Sequence, residues 1–365
     1  MPIYMDRHDV SKEVTAEIVA DLHQKDLKIQ HKFNCKGLTY WFDDKRKTAF
    51  CLVEAPDQAA IKAMHDQAHG EVPHKIIEVD GAIVESFLGR IEDPKKSQKT
   101  TLNIINDPAY RIIMVVGIKH LPLNSLHLKN IKLLIQKQNS SIIKTIDHFK
   151  GRLVKQKHDC FLISFDSVTN AVLCALEIHT VINTQDHPYT QLKMGLSGGV
   201  PVSEKEGLFE DTIKTAERLC TVVKGGIVLS AEVKDLYESE NLNISIDKQY
   251  INVLHSNDEK FLNLLMDHTE REWRNTSLSA SDYVKILGYS KSQLYRKMVA
   301  ITGKSPNTFI KDYRLNNALK LLNKRIDNIS EIAFETGFNS PAYFSKCFQN
   351  TFGILPSNYL KSYQH

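Results

Sequence analysis

The chain has 365 residues, of which 25% are charged and 42% hydrophobic, and a formal net charge of +4. This balance suits a globular protein of two or three domains and excludes a disordered or collagen-like chain. No apolar run approaches the ~20 residues that span a bilayer, no basic-then-apolar leader opens the chain, and six cysteines stand singly, so no membrane and a reducing cytoplasm are expected.

Residues 1–94 read as the first domain. Pro2 to Met5 is a strand, Thr15 to about Gln30 a helix, and Leu38–Phe42 with Ala49–Val53 a hairpin across the charged turn Asp43 to Lys47. Asp57 to His69 is a second helix ended by Gly70, and His74 to Val79 is a last strand. The order β-α-β-β-α-β predicts an α+β ferredoxin-like sandwich, a small sheet of the kind whose edges often pair into dimers. Histidines are dense in this part. His65 and His69 stand at i and i+4, a spacing that projects both imidazoles from one helix face and can hold a divalent ion, and His8 could converge from the first strand. Solvated surface histidines are the alternative. The phrases Tyr4-Met5-Asp6-x-His8, Cys51-Leu52-x-Glu54-Ala55-Pro56 and Met64-His65-x-x-Ala68-His69-Gly70 resemble a family of small bacterial nickel-binding proteins. That resemblance implies a ferredoxin-like dimer with a nickel site, for which His8, His65 and His69 are the candidate ligands. Imidazoles suit nickel, copper and zinc alike, so another divalent transition metal stays open.

Residues 95–108 continue a polar, Pro-broken stretch that begins at Glu92 and reads as a linker. Residues 109–245 alternate strands and helices. Arg111–Gly117 is a strand, Leu126–Phe149 a long helix, and Arg152–Lys155 with Cys160–Phe165 a hairpin. Ser167–Val181 is a helix, Leu192–Leu196 a strand, Asp211–Val222 a helix and Ile227–Ser230 a strand, which makes the domain α/β. The phrases Gly151-x-x-Val154-Lys155-x-x-x-Asp159-x-Phe161-Leu162, Met194-Gly195-Leu196-x-x-Gly199-x-Pro201 and Ala216-x-Arg218-Leu219-Cys220 resemble the class III nucleotide cyclase catalytic domain. That family holds two metal ions on two carboxylates. Asp159 matches one of them, but Val116 stands where the other belongs and Lys214 where the family places an Asn. A degenerate, inactive cyclase fold is therefore expected. Lys155, Asp159 and Arg218 are candidates to hold an anionic ligand, or else to form one internal ion pair.

Residues 256–365 contain one pattern twice. Ser281 to Ser290 with Leu294-Tyr295-Arg296-Lys297 and Gly303 is answered by Ser330 to Asn339 with Tyr343-Phe344-Ser345-Lys346 and Gly353, and one inserted residue reconciles the registers. Each copy is a helix, a Gly turn, and a second helix capped by Ser290 or Asn339. Leu294 with Met298, and Tyr343 with Cys347, are expected to face the core. Ser292, Gln293, Arg296 and Lys297, with Ser340, Ser345, Lys346 and Gln349, are expected to face a major groove. Arg314-Leu315-x-x-Ala318-x-x-Leu321-Leu322, followed by Ile332-Ala333-x-x-x-Gly337-Phe338-x-x-x-x-Tyr343-Phe344, resembles the signature of AraC/XylS transcription regulators. It implies an all-α domain with two helix-turn-helix units on a linker helix. Charge agrees in direction: residues 256–365 hold 15 Lys and Arg against 10 Asp and Glu, while residues 1–94 hold 12 against 17.

The expectation for the whole multidomain chain is a sequence-specific regulator that is not an enzyme. Double-stranded DNA and RNA polymerase are its partners, the upstream domains sense or dimerise, and a homodimer is the expected state. The alternative is a metal-binding or nucleotide-processing enzyme with an appended DNA-binding domain.

Overall fold

The computed structural model describes residues 1–95, 102–120, 128–157, 160–183, 190–242, 249–324 and 328–362. The first unit comprises β1 (Ile3–Asp9), α1 (Ala16–Ile29), β2 (Lys36–Asp43), β3 (Thr48–Glu54), α2 (Gln58–Ala68) and β4 (Lys75–Val79). Its antiparallel sheet has the order β2-β3-β1-β4. β1 runs four residues past Met5, so His8 lies within the strand. Alternation along β1 sends Tyr4 towards α1 and α2 and Met5 to the opposite face.

A helix that periodicity did not reveal follows. α3 (Gly81–Leu88) is capped by Asp80, whose carboxylate accepts from the Ile83 amide, and it stops at Gly89 with φ of 84°. Val84, Phe87 and Leu88 of α3 join Met5, Phe50 and Leu52 of the first sheet to Ile113 and Val115 of the middle unit in one apolar core. The last carbonyls of α3 accept hydrogen bonds from the middle unit: Phe87 O from Ser164 Oγ at 2.9 Å and Leu88 O from an Arg111 nitrogen at 3.2 Å. The stretch read as a linker is packed over its described part. The Phe42 amide donates to Asp107 O, the Tyr40 hydroxyl donates to Asn103 O, and Ile105 is buried. Residues 102–108 thus cover the β2 edge, one of the two that could have paired with another sheet.

The middle unit comprises β5 (Arg111–His120), α4 (Leu128–His148), β6 (Arg152–Lys157), β7 (Cys160–Phe165), α5 (Val168–Asn183), β8 (Thr190–Gly199), α6 (Glu210–Thr221), β9 (Ile227–Ser230), α7 (Ala231–Glu240) and β10 (Ile251–Leu254). Sheet order is β10-β9-β8-β5-β7-β6, with β8, β9 and β10 parallel. β10 was not read from sequence, and its pairing with β9 extends this unit to Leu254. Met114 and Val116 pack on one face with α4, α5 and α7, while α6 lies on the other. Its close approach requires Gly195, where an added Cβ would fall 2.2 Å from Ala216 O.

The last part is helical: α8 (Ser256–Glu272), α9 (Ala280–Leu287), α10 (Lys291–Thr302), α11 (Pro306–Lys324), α12 (Ile329–Glu335), α13 (Pro341–Phe352) and α14 (Pro356–Ser362). α9 and α10 share a core with α8 and with Leu219, Val223 and Val228 of the middle unit, and the Lys224 amide donates to Ile301 O. α12 to α14 close a separate core with the second half of α11. One helix-turn-helix is therefore built into the upstream body, and the other hangs from α11. Among the described residues no helix is long and apolar enough to cross a membrane.

Candidate nucleic-acid interface and metal centre

The second helix of each helix-turn-helix unit is started by its own sequence. Gly288, with φ of 70°, ends α9 in the left-handed region that a Cβ disfavours. Ser290 and Gln293 then cap each other: the Gln293 amide donates to Ser290 Oγ, and the Ser290 amide donates to Gln293 Oε1 at 3.0 Å. α10 buries Leu294 and Met298 and exposes Ser292, Gln293, Tyr295 and Arg296. In α13 the cap is Ser340, whose oxygen accepts from the Tyr343 amide, with Pro341 at the first helical position. Asn339 stays outside in the turn.

This cap corrects the register of the repeat. An offset of 50 superposes Ser290 on Ser340, Leu294 on Phe344, Met298 on Phe348 and Gly303 on Gly353, so the extra residue lies between Gly337 and Ser340. Phe344, Cys347 and Phe348 form the core face, and Tyr343, expected inside, is 57% exposed. Tyr343 occupies in α13 the place of Gln293 in α10, and Lys346 the place of Arg296. Lys346 and Gln349 are exposed, whereas Ser340 and Ser345 are half-buried. Lys297 is turned away from the open face: its ammonium lies 2.7 Å from Asp258 of α8 and over the Phe261 ring. Arg314 of α11 donates to the carbonyls of Trp273 and Asn275. Gly337 leaves room for it, because an added Cβ would stand 2.8 Å from Arg314 Nε.

The metal candidates lie between the first sheet and its helices. Asp6 and His8 of β1, Cys51 of β3 and His65 of α2 are buried, with one donor atom each within 4.8 Å of all the others. Asp26 of α1, His65 and His69 form a second such group. The expected trio is thereby split, since His8 and His69 flank His65 on opposite sides. His65 Nε2 is 3.0 Å from Asp6 Oδ2, while His65 Nδ1 is 3.2 Å from Asp26 Oδ1 and 3.3 Å from His69 Nε2.

Electrostatics holds the carboxylates ionised. Burial alone would raise Asp6, but His8 and His65 outweigh it and keep it well below the usual carboxylate range. Asp26 is lowered in the same way against its own burial, by His65 and His69. Burial opposes a proton on His65, yet its hydrogen bonds to Asp26 and Asp6 push it up to about 10. The Cys51 thiol is pushed well up by burial and by Asp6. His8 Nε2 lies 3.3 Å from Asp6 Oδ1, and Asp26 Oδ1 lies 3.2 Å from both His65 Nδ1 and His69 Nε2, so these buried atoms all face the cluster. Imidazole, carboxylate and thiol donors that converge within 4.8 Å fit a divalent transition ion. Sequence reasoning missed Asp6, Cys51 and Asp26 as donors. The Asp6-x-His8 alternation was a usable signal, but Asp26 lies 39 residues before His65 and had none.

The third candidate set is not brought together. Arg218 of α6 points at α8: its guanidinium is 2.7 Å from Asn263 Oδ1, 2.6 Å from Asp267 Oδ1 and 3.1 Å from Glu270 Oε2. Lys214 joins the same acids at 3.1 and 3.4 Å. Lys155 is exposed on β6, and Asp159 lies outside the described residues.

Residues 283–362 match a family described as Helix-turn-helix domain, and residues 4–79 match one described as Nickel responsive protein SCO4226-like. The chain is 39% identical over 106 residues to Histidine kinase P4 of Formosa agariphila, covering 29% of this chain and 8% of that protein. It is 31% identical over 97 residues to HTH-type transcriptional regulator MtrA of Neisseria gonorrhoeae, covering 27% and 31%. The chain thus spans less than a third of either relative. The crystal structure of SCO4226 from Streptomyces coelicolor A3(2) is 30% identical, covering 21% of this chain and 94% of that one, with a TM-score of 0.20.

Proposed function

We propose that this chain is a sequence-specific DNA-binding transcription regulator of the AraC/XylS type. The observation that carries this reading is the pair α10 and α13. Each is capped by serine, buried on one face and polar on the other, and α11 joins the two units. Arg296 and Lys346 at equivalent positions supply cations for base edges or phosphates. The matched helix-turn-helix family and a relative named as a transcriptional regulator support the same reading. Selection of oligonucleotides on the purified chain tests it: enrichment of a defined site is expected, and binding that follows salt alone with no enriched sequence would refute it.

The first unit is a metal sensor in this proposal, with nickel or another divalent transition ion held among Asp6, His8, Asp26, Cys51, His65 and His69. A bound ion would cross-link β1 and β3 to α1 and α2, stiffening the unit that shares α3 and its core with the middle domain. DNA affinity measured with and without nickel tests this part. Unchanged affinity and no bound metal would remove it.

The middle unit is a degenerate class III cyclase fold that couples sensor to reading heads without catalysis. Val116 is wholly buried where that chemistry needs a carboxylate, and Arg218 is taken up by α8. A homodimer that contacts RNA polymerase completes the proposal.

A further inference from the structure

We propose that the first unit holds two metal ions side by side, one on each edge of the His65 imidazole. The inference rests on the metal-sensing reading above and specifies how its residues divide. His65 is the one residue common to both donor groups, and it meets them with different ring nitrogens. Nε2 faces Asp6 at 3.0 Å, and Nδ1 faces Asp26 at 3.2 Å and His69 at 3.3 Å. The rings of His8 and His69 have their centroids 5.0 Å and 5.3 Å from that of His65. A single ion bound at one ring nitrogen leaves the opposite donors unused, Asp6, His8 and Cys51 on one side or Asp26 and His69 on the other.

The two sides differ in chemistry. The Asp6, His8, Cys51 and His65 side offers four donors including a thiol, the complement of a closed tetrahedral site for a borderline-soft ion. The Asp26, His65 and His69 side offers three, all nitrogen or oxygen, and leaves a coordination position for water. Charge balances as well. Two carboxylates, a Cys51 thiolate and an imidazolate bridging through both ring nitrogens carry together the negative charge that two divalent cations neutralise. The loaded cluster then buries no net charge, which burial of unpaired ions would penalise heavily. Loading displaces the thiol proton and the ring protons of His65 into solvent.

Stoichiometry tests this on the full chain. The chain is freed of metal by chelation, loaded with cobalt(II) or nickel(II), and passed through buffer containing excess free histidine to strip weak surface sites. Metal per chain is then counted by atomic emission. Two ions per chain are expected, with a thiolate-to-cobalt charge-transfer band. His69→Ala and Asp26→Asn should each leave one ion and keep the band. Cys51→Ser should lose the band, and His65→Gln should weaken both binding steps. Circular dichroism of each variant confirms that it is folded. One ion per chain in the unaltered protein, or His69→Ala and Cys51→Ser removing the same ion, would overturn the two-ion assignment and leave the sensor reading standing. No retained ion would overturn both.

Discussion

The Lys297 ammonium of α10 lies 2.7 Å from the Asp258 carboxylate of α8, so α10 is fastened to the helix that also receives Arg218. A lysine so engaged contributes little to reading bases, whereas its neighbour Arg296 is unencumbered on the open face. Arg296→Ala should weaken a selected site by about 1–3 kcal/mol and random DNA much less, measured by fluorescence anisotropy. Lys297→Ala should weaken both by the same small factor; a larger sequence-dependent loss there would show that the ion pair opens on DNA.

In α13 the exposed Tyr343 stands where α10 has Gln293. A ring at that position suits a thymine methyl, while Ser345 is half-buried behind it. Tyr343→Ala should cost a selected site about 1 kcal/mol or more without lowering the melting temperature, and Ser345→Ala should cost less. The reverse order would restore Ser345 as a reader. Gln293 itself has its oxygen committed to the Ser290 amide, which leaves only its amino group for a base and makes a bidentate contact with adenine unavailable while the cap holds.

Arg218 is 5% exposed and spans α6 and α8 through Asn263, Asp267 and Glu270. Its acidic partners are partly solvated, so the pairing contributes less than a buried ion pair would. Arg218→Ala should lower stability by about 1–3 kcal/mol in urea titration and raise hydrogen exchange along α8. Unchanged exchange in α8 would show that the apolar contacts there hold the two bodies without the clamp.

Glu217, one residue earlier, has its pKa raised by burial above the ordinary 4.5. A raised carboxylate binds its proton more tightly in the folded chain. Its contribution to stability is therefore fully present below 4.5 and is lost as pH rises through the folded value. Glu217→Gln should stabilise the chain at pH 7 by on the order of 1 kcal/mol or less, the group being partly exposed, and should flatten the pH dependence above 4.5. Destabilisation at pH 7 would mean that the nearby Lys155 and Lys320 outweigh burial.

What could be read from the sequence follows from how local each signal is. The glycines at 288, 303, 337 and 353, the Ser290 cap and the step from Leu294 to Met298 act within one or two turns, and with the repeat they marked both helix-turn-helix units. The one-residue insertion at Asn339 was visible only as a count. Its position depends on which residue caps α13, and misplacing it sent Tyr343 to the core. His65 and His69 were legible as neighbours on one helix, but Asp26 reaches them from another helix through the fold alone. α3 was missed because it is only eight residues long: Val84, Phe87 and Leu88 make a single i, i+3, i+4 step, too short for the period to recur. Phe42 and Asp107 likewise meet only through a polar stretch that composition marks as a linker.

The central claim is that α10 and α13 read neighbouring turns of one duplex. Hydroxyl-radical footprinting on a selected site tests it most directly. Two protected patches about one helical turn (~10 base pairs) apart on the same face are expected, with Arg296→Ala erasing one and Tyr343→Ala with Lys346→Ala erasing the other. A single patch, or both variants fading the whole footprint evenly, would contradict it.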